Sequence, residues 1–277
     1  MSLKPDLGGA SSILRWLVEA GADEAIEDIP SNRLRPKVSR SMAPEPNVRP
    51  GVGRGDVPDV ASVAGTGSGN FEAILEEARQ SALASPTLEK LRVAVEQFNG
   101  CALKRTATNT VFSDGNSGAD LMLVGEAPGA EEDRTGIPFV GAAGQLLDLM
   151  LAAIDRDRSS AYVSNILFWR PPGNRNPTAE EVSLCLPFVA RHIALVRPRV
   201  LVLVGGIAAK TLLARKEGIT RLRGKWYRYC PDDDSDGVDT TAIFHPAFLL
   251  RKAAQKRETW HDLIAIRTRL AESEIGR

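Results

Sequence analysis

Long apolar runs, cysteine and net charge are all scarce in this chain, and each scarcity narrows what it can be. No stretch reaches the roughly 18 consecutive apolar residues that a membrane-spanning helix needs, so no membrane association is expected. The N-terminus has no basic start leading into an apolar stretch, so a secretory signal is not expected. Three cysteines, Cys101, Cys185 and Cys230, are too few and too scattered for a disulfide framework. A reducing cytoplasm is the simplest setting. The 35 basic and 35 acidic residues cancel, so overall charge argues neither for nor against a nucleic-acid partner. Local charge is less even: from Arg197 to Arg228 there are nine Lys or Arg and one acid, Glu217. That stretch suits a phosphate-facing surface or an ordinary solvated one.

What is present divides the 277 residues into three parts. Residues 1–29 hold a short amphipathic helix over 11–28, with Ile13, Leu14, Leu17, Val18 and Ile26 near helical spacing; it suits a protein partner. Residues 30–70 are rich in Pro, Gly, Ser and Arg. They cannot bury enough apolar surface to offset their ordering entropy and read as a flexible linker. Residues 71–277 read as the folded domain. Helices are expected at 71–83 and 87–98. From Asp120 onward strands (120–124, 161–166, 199–204, 240–244) alternate with helices (142–154, 179–196, 206–216, 255–271). Alternation of this kind implies a parallel sheet between helical layers, and the Val/Leu run after Arg199 suits a strand covered on both faces.

One segment carries most of the functional information. The expected strand ending at Val124 runs into Gly125-Glu126-Ala127-Pro128-Gly129, then Glu131-Glu132-Asp133 and Gly136-Ile137-Pro138-Phe139-Val140-Gly141, then a helix. Ligands of open α/β sheets bind beyond the carboxyl ends of such strands. A lone aromatic beside a carboxylate and glycine amides suits a flat polar ligand such as a nucleobase. Glu131, Glu132 and Asp133 read as the exposed start of a turn.

GEAPGAEEDRTGIPFVGAAGQLLD resembles the first motif of the family 4 uracil-DNA glycosylases. Ser164-Asn165 with Arg170-Pro171-Pro172-Gly173-Asn174-Arg175, and His245-Pro246-Ala247-Phe248-Leu249-Leu250-Arg251, resemble its later motifs in the same order. The resemblance covers roughly residues 88–265. It implies a three-layer α/β/α sandwich around a central four-stranded, mainly parallel sheet. It also implies a monofunctional enzyme, acting as a monomer, that flips uracil out of DNA and excises it, leaving an abasic site. The rival reading is a catalytically weak or inactive DNA-binding protein on the same scaffold.

The resemblance assigns roles residue by residue. Gly125, Ala127, Phe139 and Asn165 would bind the base, Phe139 by stacking and Asn165 by reading its polar edge. His245 would donate to the uracil oxygen that becomes negative. Glu126 would either orient water or fix its own loop. Arg175, Leu249, Leu250 and Arg251 would meet DNA, the leucines as a wedge. Most members of the family also hold a four-iron, four-sulfur cluster on four cysteines. Here Cys101 and Cys185 match two of those ligands, while Phe98 and Trp169 stand at the other two. Neither replacement can ligate iron, so no cluster and no metal is expected.

Overall fold

The computed structural model of the chain describes residues 66–231 and 236–275. The helix expected at 11–28, and the linker expected from residue 30 as far as 65, lie outside the described residues. The first described helix, α1 (Thr66–Leu83), begins inside the stretch read as linker. It is followed by α2 (Leu88–Gln97), whose Thr87 cap accepts a bond from Lys90 N. The compact unit to which the rest belongs is Gly69–Arg277.

The remaining elements are β1 (Asp114–Gly115), β2 (Leu121–Gly125), α3 (Ala130–Thr135), α4 (Ala142–Ala152), β3 (Ala161–Asn165), α5 (Ala179–Val196), β4 (Val200–Val204), α6 (Gly206–Leu212), α7 (Ile219–Leu222), β5 (Trp226–Tyr229), β6 (Val238–Ile243), α8 (Pro246–Arg251) and α9 (Lys256–Ile275). The sheet runs β1-β3-β2-β4-β6-β5. The four strands expected from sequence form its parallel centre, β3-β2-β4-β6. Two short antiparallel strands, β1 and β5, extend the expected four-stranded sheet to six.

Strand alternation builds two cores. Successive side chains point to opposite faces. Met122, Val124, Leu201, Leu203 and Ala242 face Leu91, Val95, Leu184, Phe188 and Ile193 on one side. Leu121, Leu123, Val163, Val200, Val202, Val204 and Ile243 face Leu147, Leu151, Leu263, Ile266 and Leu270 on the other. Helices α2 and α5 therefore cover one face, and α4 and α9 the other, giving the three-layer sandwich. Helix α6 stops at Leu212, short of the expected residue 216. Ala214 there takes a left-handed backbone (φ 50°) that an α-helix cannot continue.

All four central strands are parallel, so their carboxyl ends share one edge of the sheet. At that edge Gly125 of β2 lies in register with Asn165 of β3. Beyond β4 and β6, Gly205 and His245 complete the row.

Candidate active site

The two inner strands of this row lead into Gly125 and Gly205, and the two flanking strands lead into Asn165 and His245. A Cβ at Gly125 would collide with Asn165 Oδ1 and lie 2.5 Å from Phe139 Cζ. A Cβ at Gly205, whose φ is +99°, would sit 3.1 Å from His245 Cβ and 3.2 Å from its Cδ2. Asn165 and His245 thus lean inward over bare backbone, and Phe139 approaches the same floor. The Phe139 and His245 rings lie 5.7 Å apart, 26° from parallel. Gly205 was not singled out from sequence; its signal was a glycine pair directly after an apolar strand.

Asn165 is 2% exposed, and its carbonyl oxygen Oδ1 has no hydrogen-bond partner among the described residues. Buried polar atoms are nearly always paired, so such an atom points to a ligand. His245 caps helix α8: its Nδ1 accepts a bond from Ala247 N at 3.2 Å. Burial, and secondarily the Arg251 cation, pushes its imidazole down to about 4. The ring is therefore neutral at physiological pH. With Nδ1 accepting, its one proton sits on Nε2, which is a hydrogen-bond donor.

The Phe139 loop is held from both ends. Glu132 is 9% exposed and Asp133 6% exposed, contrary to the expectation of an exposed acidic turn. Glu132 Oε1 accepts from Val140 N and Gly141 N, both at 2.9 Å, and Oε2 accepts from Gly129 N at 3.0 Å. Asp133 Oδ1 accepts from Thr108 N at 2.8 Å and Asn109 N at 3.2 Å. These carboxylates are buried because each satisfies backbone donors that would otherwise be orphaned. The loop-fixing role considered for Glu126 thus falls to Glu132. Glu126 itself is half-buried at the tip of β2, and burial raises its carboxyl above the usual range. Among the described residues none donates a hydrogen bond to its side chain. Ala127, next to it, is partly buried against the core beneath α5.

Two expected DNA contacts need correction. Leu249 is 1% exposed and packs in the core on the α4 and α9 side. Leu250 is 39% exposed. Successive residues of α8 point about 100° apart, so only Leu250 is available as a surface wedge, with the exposed Arg251 beside it. Arg175 is not a free phosphate-binding group. Its guanidinium donates to Glu181 Oε2 at 2.9 Å and Oε1 at 2.5 Å, while Glu181 also accepts from Thr178 N in the capping box of α5. Arg170 is likewise engaged, its Nε donating to the exposed Asn174 Oδ1 at 2.7 Å. The basic stretch after Arg197 is also partly neutralised: Arg199 pairs with Asp120, Arg223 with Asp262 and Glu258, and Arg228 with Asp239.

The positions that would hold a cluster meet in the core on the α5 side. Cys101 and Cys185 are fully buried, and each perturbs the other's thiol: Cys101 is shifted down and Cys185 up, chiefly through their mutual interaction. Phe98 (3% exposed) packs on Phe188, ring centroids 5.2 Å apart. Trp169 (1% exposed) donates from Nε1 to Thr110 Oγ1 at 3.0 Å. A four-thiolate cluster does not fit this set: two ligand positions are aromatic, and Cys230 is exposed elsewhere.

Comparison with known proteins supplies the family. The family profile described as Uracil DNA glycosylase superfamily matches residues 112–264. A type-4 uracil-DNA glycosylase of Pyrobaculum aerophilum is 38% identical over 180 residues, covering 64% of this chain and 91% of the relative. One from Archaeoglobus fulgidus is 41% identical over 162 residues, 57% and 80% of the two chains. One from Thermotoga maritima is 36% identical over 170 residues, 61% and 86%. The chain belongs to the uracil DNA glycosylase superfamily and, within it, is related to the type-4 enzymes.

Proposed function

We propose that this protein excises uracil from DNA by hydrolysing the N-glycosidic bond, and that Phe139, Asn165 and His245 carry the reaction. The observation that carries the reading is the partnerless Asn165 carbonyl, buried beside the Phe139 ring and across two glycines from a neutral histidine.

The base must first leave the helical stack, at a cost of a few kcal/mol. Leu250 would fill the gap it leaves and Arg251 would hold the backbone. In the site the base rests on Phe139 over the floor made by Gly125, with Ala127 beside it. Asn165 accepts from the uracil ring N–H and donates to an adjacent oxygen. Cytosine presents an acceptor where uracil has that N–H, so it would leave the Asn165 carbonyl unpaired, which such sites reject strongly. As the glycosidic bond breaks, its electron pair departs with uracil. The His245 Nε2–H donates to the oxygen where that charge collects; preorganised donors of this kind usually supply the largest share of catalysis. Water then adds to the sugar cation, losing its proton to Glu126, whose raised affinity for a proton suits a base.

No iron–sulfur cluster takes part in this reading, because Phe98 and Trp169 occupy two ligand positions as packed side chains. Residues 71–277 form the catalytic domain of a monomeric, cytoplasmic enzyme, and the amphipathic stretch at 11–28 contacts a protein partner.

Incubation with a uracil-containing oligonucleotide tests the function directly. Alkali-labile sites should form without added metal and without strand breakage before alkali. No product would end the reading. Asn165→Asp should slow uracil removal, and unchanged activity would take Asn165 out of the site.

A further inference from the structure

Phe139 has a backbone of φ 55°, a left-handed conformation uncommon for a bulky residue and strained. Glu132 holds the amides that follow it. The carbonyls around it are held by a residue that no motif marks. Arg158 lies in the loop between α4 and β3. Its Nη1 donates to Pro138 O at 3.1 Å and its Nη2 to Phe139 O at 2.7 Å. Its remaining contacts fix the guanidinium itself: Nε donates to Asp148 Oδ1 on α4 at 2.7 Å, and Nη1 to Asp114 Oδ2 on β1 at 3.1 Å. Gly144 lets α4 approach the Phe139 carbonyl, because any Cβ there would overlap it.

The loop thus sits between opposite charges matched to its peptide polarity. Carbonyls 138 and 139 point at a cation, and amides 140 and 141 point at an anion. Neither Asp148 nor Asp114 touches the Phe139 loop through a bond of its own; they anchor the arginine that does. The arrangement needs a planar group with several fixed donors, which lysine cannot reproduce.

We propose that Arg158 is a positioning residue for base excision: it locks the strained Phe139 backbone so that the ring forms a rigid stacking surface. This rests on the proposed uracil-excising function. Losing the lock frees the loop to relax, which displaces the ring while leaving the DNA-facing α8 untouched.

The test compares wild type with Arg158→Ala and Arg158→Lys in single-turnover excision, affinity for uncleaved DNA and inhibition by free uracil. Arg158→Ala should slow excision by about tenfold to a hundredfold, the range for a displaced positioning group. It should weaken inhibition by uracil by about tenfold, since stacking contributes strongly to base affinity, and leave DNA affinity within about twofold. Added methylguanidinium should recover part of the rate. Arg158→Lys, which keeps the charge facing Asp148, should fall between the two and serves the same comparison if the alanine variant does not fold. Variants that melt earlier but keep wild-type excision and uracil inhibition would overturn the proposal. Wild-type protein inactive on uracil-containing DNA would overturn the function on which it rests.

Discussion

The proposed reaction gives His245 a second job beside its observed capping of α8, and substitutions can divide the two. Its Nδ1 caps helix α8 by accepting from Ala247 N, and its Nε2–H is the proposed oxyanion donor. His245→Asn keeps a favoured cap residue but places its amide too short to replace the Nε2 donor. His245→Ala removes both. Losing one oxyanion donor costs about 10²–10³ in rate, and losing a cap costs about 1 kcal/mol of stability. Both variants should therefore excise uracil about 10²–10³-fold more slowly in single turnover. Only His245→Ala should also melt earlier in urea. DNA affinity should change little in either, because the donor acts on charge that exists only in the transition state. The pH profile adds a second check. With its imidazole held near 4, His245 is neutral on both sides of pH 6.5, so its titration should leave no step in the rate there. A rate falling tenfold per pH unit above 6.5 would make the donor an imidazolium and refute this reasoning. So would a His245→Asn enzyme with near wild-type activity.

Two further outcomes follow from buried groups. His192 is 1% exposed, and burial pushes its imidazole down to about 3. Its folded value lies below the unfolded one near 6.5. The stability contributed by keeping it neutral is thus complete above pH 6.5 and is lost as pH falls toward 3. Urea unfolding should weaken by up to about 1.4 kcal/mol per pH unit between 6.5 and 4.5 through His192, and by nearly as much again through His245, whose imidazole is pushed down to about 4; a flat stability across that window would contradict the burial. Trp169→Ala and Phe98→Ala should each cost roughly 3–5 kcal/mol through the cavity they open, and anaerobically prepared wild-type protein should be colourless. About four irons per chain would overturn the aromatic reading of those positions.

The centre of the fold was legible because each parallel strand is a short apolar run between turn residues, as in Val200–Val204. The sheet edges were not. β1 has two residues and β5 is half-buried Trp-Tyr-Arg-Tyr, too short or too mixed to show a period. Within the site, residue types at motif positions identified Phe139, Asn165 and His245, and the structure brings them together. Orientation was the harder part. Leu249 and Leu250 are chemically identical neighbours, and only the rotation of α8 decides which one faces the core. Three consecutive acids after Gly129 looked solvent-exposed, yet Glu132 stands three residues after the Gly129 cap, where its carboxylate reaches back to accept from the cap's own amide. Arg158 carried no signal at all, since its four partners come from segments spread between residues 114 and 148.

The row of strand ends also works as a ruler. Neighbouring strands lie about 4.8 Å apart, so Asn165 and His245, on the two outer strands of four, start about 14 Å apart at the backbone. Their inward-leaning side chains subtract from that width over a floor of Gly125 and Gly205. The slot that remains has its width set by the hydrogen-bonded lattice of the sheet rather than by any loop. It cannot be widened by small adjustments, because sheet width changes only in whole strands. Accepting a larger ring would require trimming a wall residue to which the proposed reaction assigns chemistry, which ties substrate size and catalytic competence in that reading to the same few side chains.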